Sequence, residues 1–216
     1  MKKLPFGELA FAVGILLTAA GVALQITADL GLSMIASIAY ILSEKFAFLT
    51  VGTAEWIVQG TVFALGFVFV GRAAVQMIPS FGVALLCGAV LDVMVFLFAP
   101  LQSDVLAIRL VLYLVGAAVL ALGIAFAFRS YLPCQVHEMF VKVVAIKKGW
   151  KQNTVKLAYD WICLAISLTL TLVFFGKLVG IGIGTVICTI INAPMIAAWG
   201  KLLDRLFNFE PALKRK

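Results

Sequence analysis

Charge is scarce in this chain. Asp, Glu, Lys and Arg together make up 12% of its 216 residues, and there is one histidine, His137. With 64% hydrophobic residues and a mean hydropathy of +1.15, the polar material cannot coat a water-soluble globule of this length. The period-2 alternation of barrel strands is also missing, which leaves helices as the way to satisfy a backbone in hydrocarbon. No two of the four cysteines, Cys87, Cys134, Cys163 and Cys188, form a Cys-x-x-Cys pair. They read as reduced apolar fillers. There is no His-Glu-x-x-His and no Gly-x-Ser-x-Gly, and Gly180, Gly182 and Gly184 lack the lysine of a phosphate loop. The expectation is therefore no enzyme, no catalytic residue, no cofactor and no metal.

What is present is long apolar runs. Six are long enough to cross a bilayer core, near 7–28, 53–71, 78–99, 109–128, 157–176 and 178–200, with tight loops at Gly71-Arg72 and Gly176-Lys177. Lys2-Lys3 ahead of the first run resembles a secretory signal, but the run is longer than a signal core and lacks a clear cleavage site. It reads as an uncleaved first span. Two shorter stretches remain. In the one near 134–148, Val136, Met139, Phe140, Val143 and Val144 follow helical spacing, with Gln135, Glu138 and Lys142 off that stripe. The other, near 32–48, is more apolar and ends at Ser43-Glu44-Lys45. The stretch near 134–148 is too short to span, and both are expected to lie on the membrane or to dip into it and return; if both crossed instead, the chain would have eight spans in parallel repeats with an unchanged charge tally.

An internal repeat connects these parts. Gly14 and Gly21 match Gly116 and Gly123 at equal spacing, Asp29-Leu30-Gly31 falls on Tyr131-Leu132-Pro133, Thr53-Ala54-Glu55 on Thr154-Val155-Lys156, and Gln59 on Asp160. The expected fold is all-α and polytopic, six transmembrane helices in two inverted three-span repeats, 1–102 and 103–216, each with a short helix after its first span. The net charge of +7 follows from loop lysines and arginines rather than from a nucleic-acid surface. Lys2, Lys3, Arg72, Arg129, Lys142, Lys147, Lys148, Lys151, Lys156, Lys201, Arg205 and the tail Lys214-Arg215-Lys216 fall inside, against Lys45, Arg109 and Lys177 outside. Both termini are therefore expected in the cytoplasm.

Gly21-Val22-Ala23-Leu24 leading into Ala28-Asp29-Leu30-Gly31-Leu32-Ser33, Val51-Gly52-Thr53 opening a span, and Gly180-Ile181-Gly182-Ile183-Gly184-Thr185 resemble the YczE/YyaS/YitT group of bacterial membrane proteins. Met34 stands where that group often carries a proline, while Pro133 occupies the matching break of the second half. The resemblance implies a polytopic bacterial inner-membrane protein and supplies no catalytic residues.

Ionisable groups inside a membrane are costly and so mark candidate sites. Asp160 binds a cation, relays a proton or meets a polar solute, unless it sits at the interface paired with Lys156 one turn away. Gln59 and Asp92 are polar within apolar spans, and Asn192 precedes the helix-breaking Pro194. Gln135, His137 and Glu138 follow Pro133 at the start of the short helix, whose positive end favours an anion if it dips inward; on the surface they would lie in water. Gln25 and Ser33 flank the break in the first half, where Asp29 reads as an interfacial residue or cap. The expected function is a small carrier of an unidentified polar or charged solute, coupled to a proton or cation. The alternative is a non-transporting scaffold acting through helix contacts. The expected partners are the lipid bilayer, the solute and a second copy in a homodimer, with no nucleic acid.

Overall fold

The computed structural model describes residues 2–4, 7–130 and 132–209. Tyr131, the tail lysines and Arg215 lie outside them. The described chain is helical: α1 (Gly7–Ala28), α2 (Met34–Lys45), α3 (Val51–Val70), α4 (Ile78–Phe98), α5 (Leu106–Arg129), α6 (Val136–Lys148), α7 (Gln152–Phe175) and α8 (Ile183–Leu206). A three-residue parallel pair, Lys2–Leu4 with Phe207–Phe209, joins the start of α1 to the end of α8. Among the described residues, five stretches are long and apolar enough to cross a membrane. One of them, Val51–Leu101, contains both α3 and α4. These two helices fold back on each other, with the Trp56 indole donating to Leu85 O at 3.0 Å and Gly52 N donating to Asp92 Oδ1 at 2.7 Å. Large apolar side chains face outward along these stretches, among them Phe96, Val68, Val173 and Trp161. A surface of that kind belongs in lipid, and the protein is an integral membrane protein.

Local chemistry sets the helix limits. Thr50 and Thr53 form a reciprocal capping box at the start of α3, and Ser33 Oγ accepts Ala36 N at 3.3 Å to start α2. Gly149 and Gly176, at φ 67° and 64°, close α6 and α7 in the left-handed conformation that glycine adopts without a Cβ penalty. The two links expected to be tight are longer. Gly71–Met77 is a 3₁₀ segment, and α8 begins at Ile183 rather than 178. In the second link Thr171 Oγ1 donates to Lys177 O and accepts from Val179 N, which folds residues 177–179 back onto α7 before a new helix can start.

At the centre, α1 and α5 cross antiparallel with backbone against backbone. A Cβ on Gly21 would stand 2.5 Å from Leu120 N, and one on Gly123 would stand 2.5 Å from Thr18 N. Gly14 faces Gly123 and Ala127, while Gly116 faces Gly21 and Leu24. On the flanks, α4 packs on α1 and α8 on α5. Between the flanks, α2 and α6 each pack against both α3 and α7, whereas α7 and α8 barely touch.

The short helices begin beside the middles of longer ones. The first turn of α2 meets Ser167, with Ser37 Oγ and Ser167 Oγ 2.8 Å apart, and its last residue, Lys45, donates to Phe174 O at the end of α7. Val136 N, opening α6, donates to Gln59 Oε1 at 3.1 Å, and Lys147 Nζ reaches Val70 O, the last residue of α3, at 2.7 Å. At about 1.5 Å per residue each short helix covers roughly half the length of its neighbour.

Gly21→Val tests the crossing. It forces a side chain into the α5 backbone and should cost about 3 kcal/mol, the upper end of overpacking effects. Gly82→Ala, whose Cβ meets nothing within 4 Å, should be tolerated. The fraction remaining monodisperse after heating in detergent reads both.

Candidate functional site

The site forms where α6 starts. A helix that begins among apolar residues leaves its first N–H groups without helical partners, and water does not reach them there. Gln59, fully buried on α3, meets this need: its Oε1 accepts Val136 N and its Nε2 donates to Glu55 Oε1 at 2.9 Å. Glu55 lies one turn earlier on the same face of α3, with its side chain 12% exposed. His137 follows Val136 and is buried. Its Nδ1 shares a hydrogen with the Tyr159 hydroxyl of α7, and its Nε2 stands 3.4 Å from Glu55 Oε1, outside hydrogen-bonding geometry. A polar cluster of Gln59, Glu55, His137 and Tyr159 thus gathers at the start of α6 and links α3, α6 and α7.

Glu138 completes the first turn of α6. Burial pushes its carboxyl above the ordinary value of 4.5, against the opposing pull of His137, Lys156 and the Gln135 backbone N–H. Gln135, at the N-cap position, has its side chain beside the Cys87 thiol. Burial also lifts the Cys134 thiol to about 11, so it stays protonated and unreactive at neutral pH. Among the described residues no three of His, Cys, Asp and Glu converge as metal ligands would.

Of the residues expected from sequence, Gln59, Gln135, His137 and Glu138 come together here. The others do not. Asp160 points away toward Lys156, Nζ to Oδ1 2.6 Å, with its side chain 28% exposed. Asp92 ties α4 to the start of α3 through Gly52 N and the Thr50 hydroxyl. Asn192 is half-buried on α8, which packs on α5. Ser33 caps α2, and Gln25 is buried at the other break. Two members were missed. Glu55 reads from sequence as a span-opening carboxylate, although its i, i+4 spacing from Gln59 puts both on one face. Tyr159 is masked by the more conspicuous Asp160, its neighbour about 100° around the helix.

A family profile described as a family of unknown function, DUF6198, matches residues 6–201. Comparisons with curated proteins and with solved structures returned no match.

Gln59→Leu strands the Val136 N–H in an apolar interior and should destabilise by about 1–3 kcal/mol, read from detergent thermal midpoints. Glu138 supplies a pH signature. Its folded-state carboxyl holds its proton to higher pH than the unfolded chain does, so stability falls as pH rises above 4.5 until the folded carboxyl also ionises. Glu138→Gln should remove that slope, gaining more over the parent at pH 8 than at pH 5.

Proposed function

The chain belongs to this family of unknown function, DUF6198, and from that premise and the geometry we propose that it is a small secondary carrier of a polar or charged solute, coupled to proton movement. The observation that carries the reading is the buried first turn of α6, where His137, Glu138, Glu55 and Gln59 meet beside the middle of α3. Titratable groups held at that depth are costly for a protein that only fills space. In this reading α3 and α4 are separate crossings, giving six, and α2 and α6 are re-entrant half-helices whose positive ends face the midplane.

Inverted duplication, 1–102 over 103–216, is part of the same proposal. Under the equivalence of Gly14 with Gly116 and Gly21 with Gly123, the contacts Gly14–Gly123 and Gly21–Gly116 exchange into one another, as contacts across a two-fold axis do. The placement of α2 against α7 and α3 is likewise the exchange of α6 against α3 and α7. The likeness to the YczE/YyaS/YitT group, a bacterial inner membrane and cytoplasmic termini fit this arrangement. The Arg129–Asp204 bridge and the Lys147–Val70 contact gather at the end proposed as cytoplasmic.

The coupling chemistry follows from the site. Glu138, protonated more readily than an exposed carboxylate, takes a proton from one side and gives it up to the other as the halves rock, while Tyr159 holds the His137 ring beside it. One observation favours the scaffold reading instead. The recess at the end of α1 has a volume of about 10 Å³, room for one water rather than a solute. A scaffold would use the parted faces of α7 and α8 for a partner or for a second copy in a homodimer.

The discriminating measurement is internal pH in pyranine-loaded proteoliposomes challenged with gradients of amino acids, organic acids, sugars and amines. A carrier should move protons with at least one solute class. Glu138→Gln and His137→Gln should abolish the coupling and Asp160→Asn should retain it. Silence across all classes with correctly folded protein favours the scaffold.

A further inference from the structure

The recess at the end of α1 is built from Gln25, Ile26, Asp29, Gly31, Leu32, Tyr40 and Gly180. It joins three separate pieces of chain: the last turn of α1 with its break, the re-entrant α2, and the link before α8. Gln25 is 1% exposed; its side chain lies beside the Cys188 thiol, and its amide oxygen has no hydrogen-bond partner. Leaving a buried amide unpaired costs about 1–3 kcal/mol, so a group that supplies the missing partner is bound with that cost recovered.

We propose that this recess binds one monovalent cation of about sodium size. The local charge asks for one. Two carboxylates, Asp29 and Glu44, act on Tyr40, while a single guanidinium, Arg109, bridges Asp29 at 3.0 Å. The end of α1 adds the negative pole of its dipole. Arg109 donates to Ala28 O at 2.8 Å and also to Asp29 O, and so takes the last carbonyls of the helix, while Gln25, with its amide oxygen unpartnered, lines the recess one turn earlier. Burial and the two carboxylates push the Tyr40 hydroxyl up, so it stays neutral; it donates its hydrogen to Glu44 and keeps its oxygen lone pairs. Asp29 at φ 47° and Gly31 at φ 109° unwind the chain around this point, and Leu32 N donates to Gly180 O at 3.0 Å, fixing the link that forms the far wall. A volume of about 10 Å³ accepts a dehydrated sodium ion or one water and excludes larger solutes. Asp29, with its side chain 63% exposed, gives the ion a way in.

Binding of the ion would clamp the break of α1, α2 and the α7–α8 link together. Its role as a coupling ion rests on the carrier reading; its binding does not. The test is the thermal midpoint of the purified full-length chain in detergent, titrated with sodium, lithium or potassium chloride against choline chloride at fixed ionic strength. Wild type should show a saturable rise with sodium that choline does not reproduce. Tyr40→Phe should raise the half-saturating sodium concentration severalfold. Gln25→Leu should raise it about tenfold or more, the worth of a hydrogen bond to a charge. Should Gln25→Leu not fold, Tyr40→Phe decides alone. A sodium response no larger than that to choline, or one unchanged in these variants, means that the recess holds an ordered water only and overturns the proposal. Neither result bears on the proton coupling at Glu138, which the pH assay reads separately.

Discussion

A helix that starts inside an apolar protein must have its first N–H groups satisfied by something other than water. That requirement shapes most of this structure. For α6 the partner is Gln59, and because Gln59 is also tied to Glu55, the start of this short helix is fixed to the full-length α3. For α2 it is Ser33, with Ser37 and Ser167 joining the first turn to α7. Each short helix is thus held at its inner end by polar contacts and at its outer end by a lysine on the last carbonyls of a neighbour, Lys45 on Phe174 and Lys147 on Val70.

The α1–α5 crossing supports this arrangement from behind. Glycines at four positions bring two helix backbones together, and the small contact leaves room on either side for α2 and α6 to reach the same depth. In hydrocarbon such packing is stabilised by dispersion and close fit rather than by expulsion of water, so each added methyl group matters.

Much of the fold was legible in the sequence, because apolar length and glycine spacing are local properties. The runs near 7–28 and 109–128 correspond to α1 and α5, and the stripe Val136, Met139, Phe140, Val143 and Val144 lies in or against one core cluster. Link lengths were not legible. The fold of residues 177–179 depends on the Thr171 hydroxyl reaching forward to Val179, a contact without a periodic signature. The site was half legible. His137 and Glu138 stood out as rare ionisable groups after a proline, whereas Asp160 was conspicuous for the same reason and proved to be paired locally with Lys156. Rarity marks a residue as costly; only its neighbours say whether the cost is met on its own helix or across the molecule.

The unequal treatment of the two outer pairs has its own meaning. In the first half α3 and α4 are zipped together from Gly52 to Met77, while α7 and α8 stand apart. Under the proposed duplication these are the same hairpin in two postures, closed and splayed, held side by side in one molecule. Exchange of the two postures between the halves would reverse the face on which the protein is open without any new packing being invented. A single chain would then carry, as its own asymmetry, the description of the state it is not in.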